Sequence, residues 1–155
     1  MDLPLVSGAL ITTTNSTRKY PLGREVEVED ATYGVQKYRY IYNNSGSSIA
    51  ANLLVMQENG TDLYQVGVCG AAAARTRVRG KTVAAIADGY YGWVLCRGNG
   101  LFTSDGSTTA NTAQKTAASG KLTDGVIGTD ELPVWAMATE DPAGDGGTFI
   151  GYIDC

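Results

Sequence analysis

The 155-residue chain carries a net charge of −4, 18% charged residues, 20 glycines and nine tyrosines. A domain of this size buries roughly 70% of its unfolded surface and folds without metals or disulfides. The mild charge gives no argument for nucleic acid or an anionic membrane as a partner, and no apolar run is long enough to span a bilayer. The opening Met1-Asp2-Leu3-Pro4 begins no signal peptide, so we expect synthesis in the cytoplasm. Many glycines and tyrosines with few charges favour short strands joined by turns, which predicts an all-β domain.

The start of the chain differs in composition from the rest. We predict an extended arm over residues 1–18, followed by a single β domain over residues 19–155, because the arm is polar, rich in threonine and without helical period. It is either an unstructured terminus or an arm that orders only against a neighbouring subunit. In the second case the contact residues are Leu3, Pro4, Leu5, Val6, Thr12, Thr13 and Thr14.

Strict alternation of side chains predicts two strands early in the domain. In the first, Val26 and Val28 face one way, and the opposite face carries the glutamate ladder, Glu25, Glu27 and Glu29. The second strand covers residues 36–42, where Tyr38 and Tyr40 share one face with Tyr42, and Lys37, Arg39 and Ile41 share the other. We assign Tyr38 and Tyr40 to the core.

A second charged alternation, over residues 75–79, predicts an arginine ladder formed by Arg75, Arg77 and Arg79. It has the period of the glutamate ladder and the opposite sign, and opposite charges paired across strands contribute roughly 0.2–1 kcal/mol per pair. The ladders are either two separate solvated faces, which is the more common arrangement, or contacts between subunits that fix register.

The stretch from residue 83 to residue 98 contains the strongest turn signal of the chain. Asp88-Gly89 favours a turn because glycine accepts a positive φ without steric cost. We therefore predict residues 84–87 and 93–96 as neighbouring strands, with Trp93 and Val94 in the core.

The remaining segments are predicted from apolar runs and turn clusters. Strands are expected over residues 49–57, 63–68, 132–138 (with Trp135 in the core) and 148–153, and turns over residues 43–48, 120–128 and 141–147. Residues 101–120 are either a long loop or contain a short helix over residues 110–118.

The sequence offers little catalytic chemistry. The chain has no histidine, which excludes Ser-His-Asp and Cys-His catalysis and most zinc sites. The glutamate ladder lies beside valines on an extended face, which is not the cleft that a pair of glycosidase carboxylates needs. Asp141 and Asp145 could hold calcium weakly, but they lack the spacing of an EF-hand. We predict no enzymatic activity, no metal and no cofactor.

The three cysteines, Cys69, Cys96 and Cys155, are widely spaced and odd in number. Synthesis in the cytoplasm favours free, buried thiols. A Cys69–Cys96 disulfide, or pairing of Cys155 between subunits, is the less favoured alternative.

Four segments resemble, in the same order, the capsid decoration (cement) proteins of tailed bacteriophages. They are K-Y-P-L-G-R-E-V (19–26), K-Y-R-Y-I-Y-N (37–43), I-A-D-G-Y-Y-G-W-V (86–94) and V-W-A-M-A-T-E-D-P (134–142). The Tyr-Gly-Trp-Val piece is the most specific part. Residues 101–128 depart from the family, whose middle region is usually shorter.

The resemblance implies a β-sandwich or β-barrel of short antiparallel strands. It also implies a homotrimer, made in the host cytoplasm, that sits on the outer surface of the capsid and bridges major capsid protein subunits in the virion. The partners would be the major capsid protein and further copies of this chain, and neither nucleic acid nor a membrane. A tail-fibre or receptor-binding module, in which tyrosine and tryptophan stack on host glycans, is the alternative.

Overall fold

The computed structural model describes residues 8–58, 60, 62–71, 75–125, 138–139, 141–142 and 144–155. These residues contain one short helix, α1 (Gly8–Ile11), two 3₁₀ turns (Arg75–Arg77 and Ala118–Gly120) and nine strands. The strands are β1 (Glu25–Asp30), β2 (Gly34–Asn43), β3 (Leu54–Gln57), β4 (Gln65–Val68), β5 (Val78–Thr82), β6 (Tyr91–Asp105), β7 (Gln114–Thr116), β8 (Leu122–Asp124) and β9 (Asp145–Asp154). The all-β prediction is confirmed.

Five of these strands close into a small barrel. The path β2-β4-β3-β5-β6 returns to its start because β6 also pairs with β2. Four pairings of this ring are antiparallel, whereas β2–β4 is parallel, as is β6–β8 outside the ring. The prediction of purely antiparallel strands is therefore wrong. In the sheet, β4 lies between β2 and β3, so β2 has β4 and not β3 as its neighbour on that side. Closure removes the free sheet edges that this ring of described strands would otherwise expose.

β6 joins the barrel to the rest of the fold. Its first part pairs with β2 and β5, and its second part pairs with β9 from Arg97↔Asp154 to Asp105↔Asp145. Its end also meets β8 at Ser104↔Leu122. The strand is thus shared by the barrel and by an outer layer formed by β7, β8 and β9.

The faces of β2 and β6 supply two separate apolar clusters. Tyr38, Tyr40 and Trp93 belong to the larger cluster, which extends to Phe102 in the second part of β6 and to Phe149 on β9, and they are 2%, 0% and 2% exposed. Ile41 and Val94, from the alternate positions, belong to the smaller one. The core assignments of Tyr38, Tyr40, Trp93 and Val94 are confirmed, and Trp135 lies outside the described residues.

The hairpin predicted around Asp88-Gly89 is wrong in its first strand. Gly89 does form a turn with φ of 74°, but Ile86 pairs with Ile49 in an isolated bridge. The strand beside residues 93–96 on that edge is β5. A Cβ on Gly92 would lie 2.8 Å from Ile86 Cδ1, so the Ile86 side chain packs over a position of β6 that carries no side chain.

Several strand boundaries also differ from the sequence predictions. The run 49–57 is broken at Asn52, which has a φ of 63°, and β3 begins only at Leu54. β4 begins two residues later than predicted. β9 contains the predicted closing strand, 148–153, and extends it into the predicted 141–147 turn.

The region after residue 100 is neither a long loop nor a helix over residues 110–118. β6 continues to Asp105, and β7 and β8 pair with each other. β8 occupies part of the predicted turn over residues 120–128. Most of the predicted strand 132–138 lies outside the described residues, although Ala138 forms a bridge with Gly151.

The described part of the predicted arm lies on its own domain. α1 places Ile11 in the larger cluster with 8% exposure. Asn15 pairs with Tyr91 through two backbone hydrogen bonds of 2.9 and 2.8 Å. This corrects the expectation of an extended arm for residues 8–18. The segment packs on its own molecule, because Ile11 can be buried in the larger cluster and Asn15 can pair with the backbone of Tyr91. Thr12 and Thr13 are exposed and Thr14 is half-buried, while Leu3, Pro4, Leu5 and Val6 lie outside the described residues.

Candidate interaction surface

A row of four charged side chains crosses the sheet formed by β1, β2, β6 and β9. Glu27 pairs with Lys37, Lys37 with Arg97, and Arg97 with Asp154. Residues paired in register point to the same side of a sheet. We call this surface, completed by Glu25, Glu29, Val35, Arg39 and Tyr152, the charged face.

Glu25 is held by two basic residues of β2. Its Oε2 lies 2.7 Å from Lys37 Nζ, and its Oε1 accepts hydrogen bonds from Arg39 Nη2 and Nε at 2.7 and 3.1 Å. Partial burial would raise the pKa of Glu25, but the hydrogen bonds from Lys37 and Arg39 outweigh it and the pKa is lowered. The hydrogen bond to Glu25 in turn raises the pKa of Lys37. These ion pairs fix the register of β1 on β2.

Arg39 extends this network to other strands. Its guanidinium also donates to the backbone oxygens of Arg79, at 3.4 Å, and Cys155, at 3.3 Å. One side chain of β2 therefore ties β1 to the end of β9 and to β5.

Apolar side chains are exposed among these charges. Val35 is 65% exposed and Tyr152 is 37% exposed, and with Glu27, Lys37 and Arg97 they line a shallow groove of about 250 Å³. Arg97 is only loosely held, with its Nε 4.0 Å from Asp154 Oδ2 and 3.4 Å from the Tyr152 hydroxyl. An exposed apolar patch rimmed by charged side chains is typical of a surface that binds another protein.

The predicted arginine ladder does not exist. Arg75 and Arg77 lie in a 3₁₀ turn, and β5 begins only at Val78. Arg79 donates to the backbone oxygens of Leu63, Thr76 and Val78 at 2.7, 2.7 and 3.0 Å and to Gln57 Oε1 at 2.8 Å. Arg77 donates to the backbone oxygen of Gln57 at 2.9 Å.

The glutamate ladder is present on β1, but its partners are on β2. Sequence alternation already put Lys37 and Arg39 on one face of that strand, and the short connection between β1 and β2 was the signal that could have paired them with Glu25 and Glu27. Arg77 and Arg79 instead bind the segment from Gln57 to Leu63 of their own chain. Reversing their charge would therefore disturb folding as well as any assembly.

The aromatic rings of the larger cluster pack against each other. The Trp93 ring lies 4.9 Å from the Tyr40 ring and 5.4 Å from the Tyr20 ring, centroid to centroid, and Tyr20 and Tyr40 meet edge to face at 5.3 Å. Because Trp93 is buried, its ring is not accessible to a glycan. Tyr90 and Tyr152, each 37% exposed, are the described aromatic residues with the most accessible rings.

The two aspartates considered for calcium have separate protein partners. Asp141 accepts a hydrogen bond from the backbone N–H of Ala110, and Asp145 Oδ1 lies 2.6 Å from Lys121 Nζ. Across the described ranges, no three His, Cys, Asp or Glu side chains are grouped as metal ligands would be. In the same ranges, no helix has the length and apolar character to cross a membrane.

The three cysteines are free thiols. Burial raises the pKa of Cys96 to about 11 and that of Cys155 to about 12, and it raises the pKa of Cys69 further. Since the thiolate is the reactive form, these thiols have little nucleophilic character at neutral pH.

No protein-family model matches the sequence, and no curated protein matches it. Among solved structures, the N base of the head fiber protein gp8.5 of bacteriophage phi29 is similar, with a TM-score of 0.57. The match covers 76% of this chain and 94% of that chain, at 13% sequence identity. The two chains share a fold. The matched protein belongs to a head fiber, which is a different kind of head protein from the decoration family that the sequence resembles.

Proposed function

We propose that this chain is a structural protein of a tailed-bacteriophage virion that binds the outer surface of the head as a homotrimer and bridges major capsid protein subunits. The observation that carries the proposal is the fold shared with the N base of the phi29 head fiber, nearly all of which is matched. The resemblance of four segments to decoration proteins supports a place on the head independently, because it rests on sequence and not on the fold.

The two lines of support meet in the same part of the molecule. Residues 37–43 and 86–94 include most of β2 and the first part of β6, the strands whose pairing closes the barrel. The most specific resemblance therefore concerns the residues that define the fold, and the residues that contact the capsid have to be sought on the surface.

The charged face is the surface we assign to the capsid contact. Val35 and Tyr152 supply apolar area at its centre, and Arg97 and Asp154 supply charges that are weakly engaged with each other. On a shell, modest contacts are repeated by symmetry, so strong attachment does not require a large interface on each copy. Glu25 and Arg39 have a structural role instead, since their ion pair joins β1 to β2 and Arg39 also binds the end of β9.

The proposed role is binding without chemistry or a cofactor. Two carboxylates of the described region have structural partners: Glu25 binds Lys37 and Arg39, and Asp145 binds Lys121. The glycan-binding alternative depends on exposed aromatic rings, and the burial of Trp93 removes its strongest candidate in the described residues.

The copy number of this chain relative to the major capsid protein, measured by quantitative mass spectrometry of purified particles, tests the proposal. A ratio near one to one supports a place on the shell lattice. A handful of copies per particle contradicts it and favours the tail-fibre or receptor-binding role. Light scattering of the purified protein tests the trimer, whose mass is three times that of the 16.3 kDa chain.

A further inference from the structure

A buried lysine lines an open cavity on the side of the barrel next to α1. Lys81, on β5, is 3% exposed and lines a cavity of about 200 Å³. The wall of the cavity is formed by residues of the N-terminal segment, of the β1–β2 hairpin, of the loop before β3 and of β6.

Lys81 has weak partners for its charge. Nζ donates one hydrogen bond to Asn52 Oδ1, at 3.3 Å, and lies 5.6 Å from the centre of the Phe102 ring. In the part of the chain that the structure describes, no carboxylate forms an ion pair with it. An ammonium group has three N–H donors, so most of its hydrogen-bonding capacity is left for another group.

Burial without an opposite charge is costly for a cation. Burial lowers the pKa of Lys81 from 10.5 to about 8. Because this value is still above neutral pH, Lys81 is mostly charged at pH 7 and would be stabilised by a negative partner.

Two other polar side chains around the cavity already have partners. Gln36 Nε2 donates to the backbone oxygen of Asn99 at 2.6 Å, and its Oε1 accepts from the Tyr38 hydroxyl at 2.7 Å. Asp30 Oδ1 accepts the backbone N–H groups of Thr32 and Tyr33 at 2.8 and 2.9 Å. Lys81 is the cationic group in this wall, and its ammonium still has donors to offer.

The strand opposite leaves room for the ammonium. A Cβ on Gly100 of β6 would lie 3.3 Å from Lys81 Nζ and 2.8 Å from Leu95 Cδ2. A larger residue at position 100 would crowd the lysine, so glycine keeps the cavity open at the point where the charge lies.

We propose that this cavity is a binding site for a single carboxylate group, which pairs with Lys81 Nζ. A volume of about 200 Å³ has room for a small carboxylic acid or the end of an aspartate or glutamate side chain. Asp30 on the same wall disfavours a second negative charge in the ligand.

The first experiment is an NMR titration of the ¹³C-labelled full-length protein with sodium acetate, following the Lys81 Cε–Hε signal, which Lys81→Met identifies by its loss. We expect a saturable shift with a midpoint of roughly 10–100 mM, the range of one charge-assisted hydrogen bond, and a rise in the pKa of Lys81 on binding. Sodium chloride at equal ionic strength is the control. A Lys81 signal that responds to acetate as it does to chloride overturns the proposal.

The second experiment uses thermal unfolding. Acetate should raise the unfolding temperature of the wild type and of Lys19→Met, a control at an exposed lysine, and should leave Lys81→Met unchanged beyond the effect of chloride. Equal stabilisation of all three proteins contradicts a site at Lys81. Lys81→Gln provides a second neutral variant should the methionine variant not fold.

Binding to purified heads distinguishes the two sources of the carboxylate. If a capsid side chain supplies it, Lys81→Met weakens attachment at least tenfold and acetate competes. If a free acid supplies it, attachment is unchanged while acetate still binds. Either result is compatible with a carboxylate site at Lys81. The NMR titration tests whether that site exists, and it does so independently of the proposed function on the head.

Discussion

Replacing Trp93 by alanine tests the packing of the larger cluster directly. Trp93 is 2% exposed, and its ring contacts Tyr40, which is itself fully buried, and Tyr20. A change from tryptophan to alanine in a core costs about 3–5 kcal/mol, and the cost is highest where neighbours cannot collapse into the cavity. Tyr20 and Tyr40 are held edge to face against each other, so we expect a loss of about 4–5 kcal/mol in the free energy of unfolding.

The assay is urea unfolding followed by far-ultraviolet circular dichroism, because the variant removes one of the two tryptophans and with it a fluorescence probe. Wild type and variant are compared at equal protein concentration, since the stability of an oligomer depends on concentration. Tyr152→Ala, on the surface, should stay within about 0.5 kcal/mol of wild type. A loss below about 1 kcal/mol for Trp93→Ala, with an unchanged dependence on urea, refutes the buried position.

Four further predictions concern other parts of the molecule. Arg79→Ala should lower the free energy of unfolding by about 1–3 kcal/mol because it removes four hydrogen bonds, whereas Arg97→Ala should change urea unfolding by less than about 0.5 kcal/mol. The pKa of Glu25 is lower in the folded state than its ordinary value of 4.5, so the ionised side chain stabilises the fold above that pH, and this stabilisation is lost in acid. The free energy of unfolding of Glu25→Gln should therefore fall less on acidification than that of wild type. An equal fall in both proteins would contradict the ion pairs. The pKa of Lys81 is about 8 in the folded state and 10.5 ordinarily, so between these pH values the unfolded state binds more protons than the folded state. The free energy of unfolding of wild type, relative to that of Lys81→Met, should therefore rise with pH across this range. A constant difference between the two proteins would argue against burial of the charge. Deleting residues 1–18 should lower the free energy of unfolding by about 2 kcal/mol, the worth of one buried aliphatic side chain, and should weaken attachment to heads; full attachment by the truncated protein would show that this segment makes no capsid contact.

The sequence predicts β1 and β2 well because its signals there are local. Alternation puts Val26 and Val28 on one face of β1 and Tyr38 and Tyr40 on one face of β2, and all four side chains are buried. The charged side chains on the opposite face of β1 follow from the same period. The ion pairs that join β1 to β2 need one further step, the pairing of consecutive strands.

The errors arise where distant parts of the chain decide the structure. Alternation at residues 75–79 predicts a strand, but backbone oxygens within reach of Arg77 and Arg79 favour a 3₁₀ turn. The turn at Asp88-Gly89 is correct, yet Ile49 takes the place of the expected partner strand. No local pattern reveals a pairing partner that lies tens of residues away.

The candidate sites show the same division. Glu25, Glu27 and Glu29 could be chosen from the sequence because they repeat with a period of two. The groove between Val35 and Tyr152 could not, since the two residues come from strands that only the fold brings together. Lys81 gives no sequence signal, because a lysine in a polar stretch is normally exposed.

Closure of the barrel by β2 and β6 has a consequence for how the chain folds. The closing contact joins residues as far apart in sequence as Lys37 and Arg97, so the entropy of a long loop has to be overcome before the ring is complete. Folds dominated by such distant pairings reach the native state in milliseconds to seconds. Until then β2 and β6 expose unpaired edges next to Tyr40 and Val94, and such edges can pair with other chains. A protein required in many copies at one time would therefore be most prone to aggregation just before this pairing forms.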